Sequence, residues 1–147
     1  MKRWGTRLHA AIYRLTRGRV LGRVGGQPVL LLETVGRRTG RRRTTPVQYL
    51  ADGDTFVVVA SNAGAARPPA WYLNLRANPH ARVRVGARTV DIRAQQAAGQ
   101  GRVELWQRLA GANRYLERAA RKAGRELPLM ILVPPTPTTH RRAADPS

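Results

Sequence analysis

Apolar residues recur along the chain with two different periods, and the change of period separates predicted helices from predicted strands. Residues 2–17 carry apolar side chains at helical spacing, with basic side chains on the opposite arc and Gly18 as the end of the helix. The apolar positions of this helix are Trp4, Leu8, Ala11, Ile12 and Leu15. A basic amphipathic helix of this kind either packs its apolar face on a domain or lies on a membrane surface.

From Val29 the apolar residues form short runs that predict strands. Asp52-Gly53 and Gly86-Ala87 separate neighbouring runs and are typical of hairpin turns, so most pairings should be antiparallel. Helices are predicted between Pro68 and Pro79 and over residues 98–123. Six strands are predicted, over residues 29–34, 45–50, 55–61, 81–85, 89–95 and 128–134. This mainly β pattern with helices favours a small barrel, because closure leaves few open strand edges.

The 147 residues suffice for one domain with a hydrophobic core. We expect a basic N-terminal helix over residues 1–23, the barrel domain over 24–135, and a polar, proline-containing, disordered tail over 136–147. No apolar run approaches the ~20 residues that a membrane-spanning helix needs, and the N-terminus lacks the pattern of a secretory signal. The sequence therefore predicts a cytoplasmic protein, and residues 1–18 are the segment that could place it on an anionic inner membrane face.

Basic residues dominate the charge of the chain, giving a formal net charge of +19. A field this positive attracts anions of several kinds, including nucleic acid, acidic lipid and phosphorylated metabolites. There is no cysteine and the three histidines lie far apart, so neither a disulfide nor a metal site is predicted.

The densest positive charge lies in residues 36–46, which read GRRTGRRRTTP. Its glycines allow a sharp turn, and arginine side chains bind phosphate or carboxylate through two parallel hydrogen bonds. A solvated surface turn and a nucleic-acid-binding barrel are the alternatives. Proteins that bind single-stranded nucleic acid stack bases on aromatic side chains, and aromatic residues are 5% of this chain with none in the loop. A cradle for a phosphorylated ligand is therefore favoured over a nucleic-acid site.

Three stretches in this order, GRRTGRRRTTPVQYL, VVVASNAGAARPPAWYLNLRANP and ELPLMILVP, resemble the deazaflavin-dependent nitroreductase family. The family is also described as coenzyme F420-dependent quinone reductases and is typical of actinobacteria. The resemblance runs from about Val29 to Pro134. It implies a split β-barrel of the flavin-reductase type and an oxidoreductase that passes a hydride from reduced F420 to an apolar acceptor, such as a quinone or a nitro compound.

The resemblance also implies roles for residues in each motif. The phosphate and acidic tail of F420 would be held by Arg37, Arg38, Thr39 and Arg43, and the cofactor groove would be lined by Thr44, Thr45, Pro46, Val47 and Gln48. The ring system would lie along Val59, Ala60, Ser61 and Asn62. The helix would close the groove through Ala70, Trp71, Tyr72, Leu73 and Asn74, with Trp71 packing and Asn74 hydrogen bonding. FMN is the alternative cofactor, although its single phosphate gives less reason for five arginines in one loop.

No catalytic residue is assigned, and Ser61 and Tyr115 are the candidates. Ser61 has no histidine or acid nearby in sequence, which argues against a serine nucleophile. Hydride transfer fits this absence, because the cofactor carries the reaction and the protein supplies position and electrostatics. Characterised members of the family carry lid tyrosines where this chain has Asn113, Leu116 and Ala119. A non-catalytic carrier of a deazaflavin or a fatty acid is therefore the alternative function, and no oligomeric state is predicted.

Overall fold

The structure is a computed structural model that describes residues 23–24 and 27–135. The predicted tail and residues 1–22 of the predicted N-terminal helix lie outside the described residues, and Arg23, the last residue of that prediction, belongs to a strand. The strands are β1 Arg23–Val24, β2 Gln27–Val35, β3 Arg42–Gln48, β4 Leu50–Asp52, β5 Thr55–Val59, β6 His80–Val85, β7 Arg88–Gln96 and β8 Leu129–Val133. The helices are α1 Ala70–Ala77, α2 Gly99–Ala112 and α3 Tyr115–Ala123, and a short 3₁₀ turn covers Asn62–Gly64.

The strands form one antiparallel path in the order β3–β2–β6–β7–β8–β5–β4, with β1 paired to the start of β2. Only Tyr49 separates β3 from β4 along the chain, so the two ends of the path come together and the sheet curls. Within the described residues β3 pairs only with β2, which leaves its other edge at an opening in the barrel wall. The prediction of a mainly β split barrel is confirmed.

Alternate residues of the strands face the interior of the barrel, as the period of two requires. Leu30, Leu32, Val58, Val83 and Leu132 are fully buried there. Side chains of α1 pack into the same cluster, namely Trp71, Tyr72 and Leu75. Helix α1 therefore contributes to the main core of the barrel.

Helices α2 and α3 cover the opposite face of β5 and β8. Their apolar stripe contributes Leu105, Leu109 and Leu116, which pack against Val57 and Leu129 in a second buried cluster. Val57 and its neighbour Val58 belong to different clusters, because successive strand residues point to opposite faces.

Several strand boundaries differ from the sequence prediction. Strand β3 begins at Arg42, three residues early, because Arg42 and Arg43 pair in register with Val35 and Thr34 while their side chains stay exposed. The predicted strand 45–50 is divided at Tyr49, and the predicted strand 55–61 ends at Val59. The two added strands, β1 and β4, are two and three residues long, too short to show a period of two.

Most of residues 98–123 are helical as predicted, but the helical segment is interrupted at Asn113 and Arg114. The Asn113 side-chain oxygen Oδ1 accepts the Tyr115 N–H at 3.1 Å, and its backbone carbonyl accepts the Leu116 N–H at 3.2 Å. Asparagine favours such local bonds over helical continuation. The break separates α2 from α3. Within the described part of the chain, no helix is long and apolar enough to cross a membrane.

Candidate cofactor pocket and arginine loop

A pocket of about 280 Å³ lies at the opening of the barrel. Its first wall is β3 and the residues after it, Thr45, Pro46, Val47, Gln48, Tyr49 and Leu50. Six consecutive residues line the pocket although alternate strand residues point to opposite faces, so the strand presents its edge as well as its side chains. An edge carries backbone N–H and C=O groups that a ligand can bind. Pro46, which lacks an N–H, is tolerated on such a strand.

The second wall of the pocket is the turn that follows β5, where Val59, Ser61, Asn62 and Ala63 line the pocket. Asn62, Ala63 and Gly64 have φ values of 44°, 55° and 77°, so three successive residues are left-handed. The Gly64 N–H donates to the Ser61 carbonyl at 2.9 Å, and the Asn62 side-chain amide donates to the Arg67 carbonyl at 2.9 Å. Left-handed residues other than glycine are strained and cluster at functional sites.

The turn is supported from behind by α3 and by Arg125, two residues after the end of α3. A Cβ on Gly64 would lie 3.2 Å from the Ala119 carbonyl oxygen and 3.3 Å from the Ala119 Cα, so the two backbones approach closely. Arg125 Nη2 donates to the carbonyls of Ala65 at 3.2 Å and Arg67 at 3.3 Å. These contacts fix the strained turn relative to the helices.

The third wall combines α1 with the break between α2 and α3. Pro69 and Trp71 line one side, and Leu109, Ala112, Asn113 and Leu116 line the other. Asn113 and Leu116, two of the three positions to which the resemblance assigns lid tyrosines, therefore lie at the pocket. Tyr115 is 44% exposed and is not part of the lining. Successive helix residues are about 100° apart, so Tyr115 points away while Leu116 points inward.

The arginine loop, residues 36–41, joins β2 to β3. The Gly36 N–H donates to the Arg41 carbonyl at 2.7 Å, and the Gly40 N–H donates to the Gly36 carbonyl at 2.8 Å. Gly40 has a φ of 70°, and a Cβ on Gly36 would lie 2.8 Å from Thr39 Oγ1. Both positions therefore favour glycine, and the loop is a tight turn. Thr39 Oγ1 accepts the Arg41 N–H at 3.2 Å and so shapes the loop from within.

The arginines of the loop and of β3 differ in their surroundings. Arg42 Nη1 lies 2.8 Å from Glu33 Oε1, and this pair lies on the outer face of the sheet. Arg43 pairs in register with Thr34, so it shares the opposite face with Thr45 and Val47 of the pocket wall. Among the described residues, no acid lies within salt-bridge distance of Arg37, Arg38, Arg41 or Arg43. Arg43 is two strand residues from Thr45, about 7 Å.

The structure brings together part of the predicted site. The predicted residues that line the pocket are Thr45, Pro46, Val47, Gln48, Val59, Ser61, Asn62 and Trp71. Arg37, Arg38, Thr39, Arg43 and Thr44 lie in the loop and at the start of β3. Ala60 is buried in the core, Leu73 is partly buried and packs against the core cluster, and Ala70 is exposed. Tyr72 donates its hydroxyl to Gln96 Oε1 at 3.0 Å, and Asn74 bonds Thr34 and Arg37, so both motif residues bind protein groups.

Sequence reasoning missed other lining residues: Tyr49, Leu50, Ala63, Pro69, Leu109 and Ala112. The helical apolar pattern that contains Leu109 predicts core packing, and nothing in it separates a core position from a pocket wall. Among the described residues, no three metal-ligating side chains cluster together.

Sequence comparisons place the chain among deazaflavin enzymes. A family model described as F420H(2)-dependent quinone reductase matches residues 4–134. An F420H(2)-dependent quinone reductase from Mycobacterium tuberculosis is 41% identical over 131 residues, covering 86% of this chain and 87% of the relative. A putative F420H(2)-dependent quinone reductase from the same species is 35% identical over 107 residues, covering 73% of this chain and 90% of the relative.

Solved structures show the same fold. An F420-H2 dependent reductase superposes with a TM-score of 0.66 at 28% identity, covering 71% of this chain and 93% of that chain. A domain-swapped dimer has a TM-score of 0.68 at 27% identity, covering 84% of this chain and 94% of that chain. The family match, the close relatives and the shared fold show that the chain belongs to the F420H(2)-dependent quinone reductase family.

Proposed function

We propose that the pocket along β3 is where this F420-dependent oxidoreductase holds its deazaflavin ring, and that the arginine loop with Arg43 holds the anionic part of the cofactor. One observation carries the proposal. Four arginines without acidic partners among the described residues lie in the loop that precedes β3 and at the start of β3, the strand whose edge forms the pocket wall. A carboxylate or phosphate bound there would neutralise charge that the protein leaves uncompensated.

The size of the pocket fits this division of the cofactor. Sites for small molecules span ~300–1,000 Å³, and about 280 Å³ is near the lower limit. Such a pocket encloses a ring system, so a phosphate and a long acidic tail must extend along the surface. The loop arginines are exposed and directly precede β3, the strand that forms the pocket wall, which makes them the neighbouring anion site.

Bound reduced deazaflavin supplies the hydride, and the residues of this chain bind, orient and exclude water. Leu109, Ala112 and Leu116 give the pocket an apolar side, which favours an apolar acceptor such as a quinone or a nitro compound. Ser61 lies at the pocket, and no acid or histidine lines it among the described residues. We therefore propose that Ser61 acts as a hydrogen-bonding group and not as a nucleophile.

The proposal is tested by fluorescence titration of the protein with F420 and, in parallel, with FMN. The triple variant Arg37→Ala, Arg38→Ala, Arg43→Ala should weaken F420 binding more than about 100-fold, because hydrogen bonds to charged groups contribute ~1.5–3 kcal/mol each. Two controls remove one arginine each: Arg42→Ala, whose side chain pairs with Glu33, and Arg88→Ala, at the other end of the β2–β6–β7 sheet. Absence of F420 binding by the unaltered protein, or tighter binding of FMN, would overturn the cofactor assignment.

A turnover assay distinguishes an enzyme from a non-catalytic carrier. The assay measures the oxidation of reduced F420 in the presence of quinone and nitro acceptors. The resemblance assigns lid tyrosines to the positions where this chain has Asn113, Leu116 and Ala119, and the lack of tyrosine at these positions supports a carrier. Turnover with at least one acceptor class supports the reductase. Tight F420 binding without turnover across the panel supports the carrier.

We also propose that the N-terminal segment places the enzyme at an anionic membrane, where an apolar quinone is available. The support is the amphipathic pattern of residues 2–17, a segment outside the described residues. Deletion of residues 1–18 should abolish flotation with phosphatidylglycerol vesicles, and unchanged flotation would rule out this role.

The relatives named above are mycobacterial, which supports an actinobacterial origin for this chain.

A further inference from the structure

We propose that Asn74 is a positioning residue that fixes the backbone of the arginine loop, and that it acts on the anionic part of the cofactor only through that loop. The inference rests on the proposed function and deepens it. The resemblance assigns Asn74 to the cofactor groove, but the side chain is not part of the pocket lining. Its contacts lead instead to the loop.

Asn74 and Thr34 are the two buried polar side chains among the described residues, 5% and 1% exposed. A buried polar group destabilises a protein unless it finds hydrogen-bond partners. Asn74 Nδ2 donates to Thr34 Oγ1 at 3.1 Å, and Asn74 Oδ1 accepts the backbone N–H of Arg37 at 3.1 Å. Both ends of one buried amide are therefore used, one on β2 and the other on the loop.

The loop depends on this contact because the hydrogen bonds within the loop provide no acceptor for the backbone N–H of Arg37. Internal bonds engage the N–H groups of Gly36, Gly40 and Arg41. The N–H of Arg37 finds its acceptor on α1, 37 residues away in sequence. Without that acceptor, the backbone at Arg37 would lose its hydrogen bond to α1, and the bond of the preceding Gly36 N–H to the Arg41 carbonyl would remain. The side chains of Arg37 and Arg38 would then lose order before they bind an anion, which weakens binding.

The same helix carries the pocket wall, which gives the contact a second consequence. Trp71 lines the pocket and Asn74 follows it by three residues, within one turn of α1. A helix of this length moves as a unit, so Asn74 sets the position of the anion site relative to the ring pocket. Two parts of one long ligand need such a fixed separation.

The first test compares two ligands: F420, and the deazaflavin ring with its ribityl chain, which lacks the phosphate and the acidic tail. Asn74→Leu removes both hydrogen bonds at similar side-chain volume. The dissociation constant for F420 should rise about tenfold relative to that for the ring fragment, because the partly buried Arg37 N–H loses its acceptor. Thr34→Val, which removes one bond and leaves the Arg37 contact, should change this ratio less, and Thr34→Ser should restore it.

A second pair of variants isolates the backbone group. Arg37→Ala and Arg37→Pro both lack the guanidinium, but only Arg37→Pro lacks the N–H that bonds Asn74. Several-fold weaker F420 binding by Arg37→Pro than by Arg37→Ala supports the inference. Equal affinities, or equal loss of F420 and ring fragment in Asn74→Leu, would overturn it.

Limited trypsin digestion tests the loop without any ligand, so a failure of the cofactor assignment remains distinguishable. Trypsin cuts after the arginines of residues 37–43, and cleavage after Arg88, at the other end of the sheet, serves as the internal reference. Asn74→Leu should accelerate cleavage in the loop about tenfold over the reference, because local opening becomes more populated. Unchanged relative cleavage would overturn the inference, even if F420 binds the unaltered protein.

Discussion

Substitution of Gly64 by alanine tests how the strained turn at the pocket is held against α3. Gly64 has a φ of 77°, and this conformation costs an L-residue about 1–2 kcal/mol. The added Cβ would also lie 3.2 Å from the Ala119 carbonyl oxygen and 3.3 Å from its Cα, which are backbone atoms that cannot rotate away. Overpacking of this kind costs about 1–3 kcal/mol, so Gly64→Ala should lower the free energy of unfolding by about 2–5 kcal/mol.

Gly53→Ala is the matched control, because Gly53 has a φ of 58° and its Cβ would meet nothing within 4 Å. This variant carries only the conformational cost of about 1–2 kcal/mol. Denaturant unfolding followed by circular dichroism gives both free energies, and their difference isolates the contact with Ala119. Equal losses in the two variants would refute the reasoning.

The same substitution has a functional consequence. Gly64 directly follows Asn62 and Ala63 of the pocket wall, so a displaced turn should raise the dissociation constant for F420 in the folded fraction. Gly53→Ala, in the turn between β4 and β5, should not change it. Wild-type affinity in Gly64→Ala, measured below its unfolding transition, would remove the turn from the binding site.

Three further predictions concern other parts of the molecule. Asn113→Ala removes the acceptor of the Tyr115 N–H and should lower the free energy of unfolding by about 0.5–2 kcal/mol, whereas no change would show that the break needs no side chain. Leu132→Ala, at a fully buried position, should cost about 2–5 kcal/mol in the same unfolding assay, and a smaller loss would mean that the barrel interior relaxes. The dissociation constant for F420 should rise steeply with salt concentration while that of the ring fragment stays nearly constant; parallel curves would contradict an arginine-bound tail.

The strands and hairpins could be predicted because their signals are local. The turn residues Gly53 and Gly86 have φ values of 58° and 59°, as the predicted hairpins require. The break at Asn113 could not be predicted, because the apolar spacing of α2 and α3 is continuous enough for one helix. It is decided by a side-chain oxygen that bonds the next turn.

The candidate site could be predicted only where its residues belong to distinctive motifs. Thr45 to Gln48 and Val59 to Asn62 lie in such motifs, and most of them reach the pocket. Leu109 and Leu116 carry the same helical pattern as any core leucine, and they do pack in the second cluster while lining the pocket. Asn74 differs from these leucines, because it is a polar motif residue whose side chain is buried and bonds other protein groups instead of lining the pocket. Only its contacts in the folded structure reveal this role.

The walls of the pocket come from separate parts of the chain, and this arrangement bears on how the family can diversify. The arginine loop, Arg43 and the edge of β3 belong to one continuous hairpin. The apolar wall belongs to the helices around Asn113, more than sixty residues later in the sequence. If the hairpin binds the cofactor as proposed, mutation near Asn113 can change the space beside the proposed ring site without altering the residues of the hairpin. Related proteins with the same hairpin could therefore differ in the electron acceptors that they reduce through substitutions in a short helical segment around Asn113.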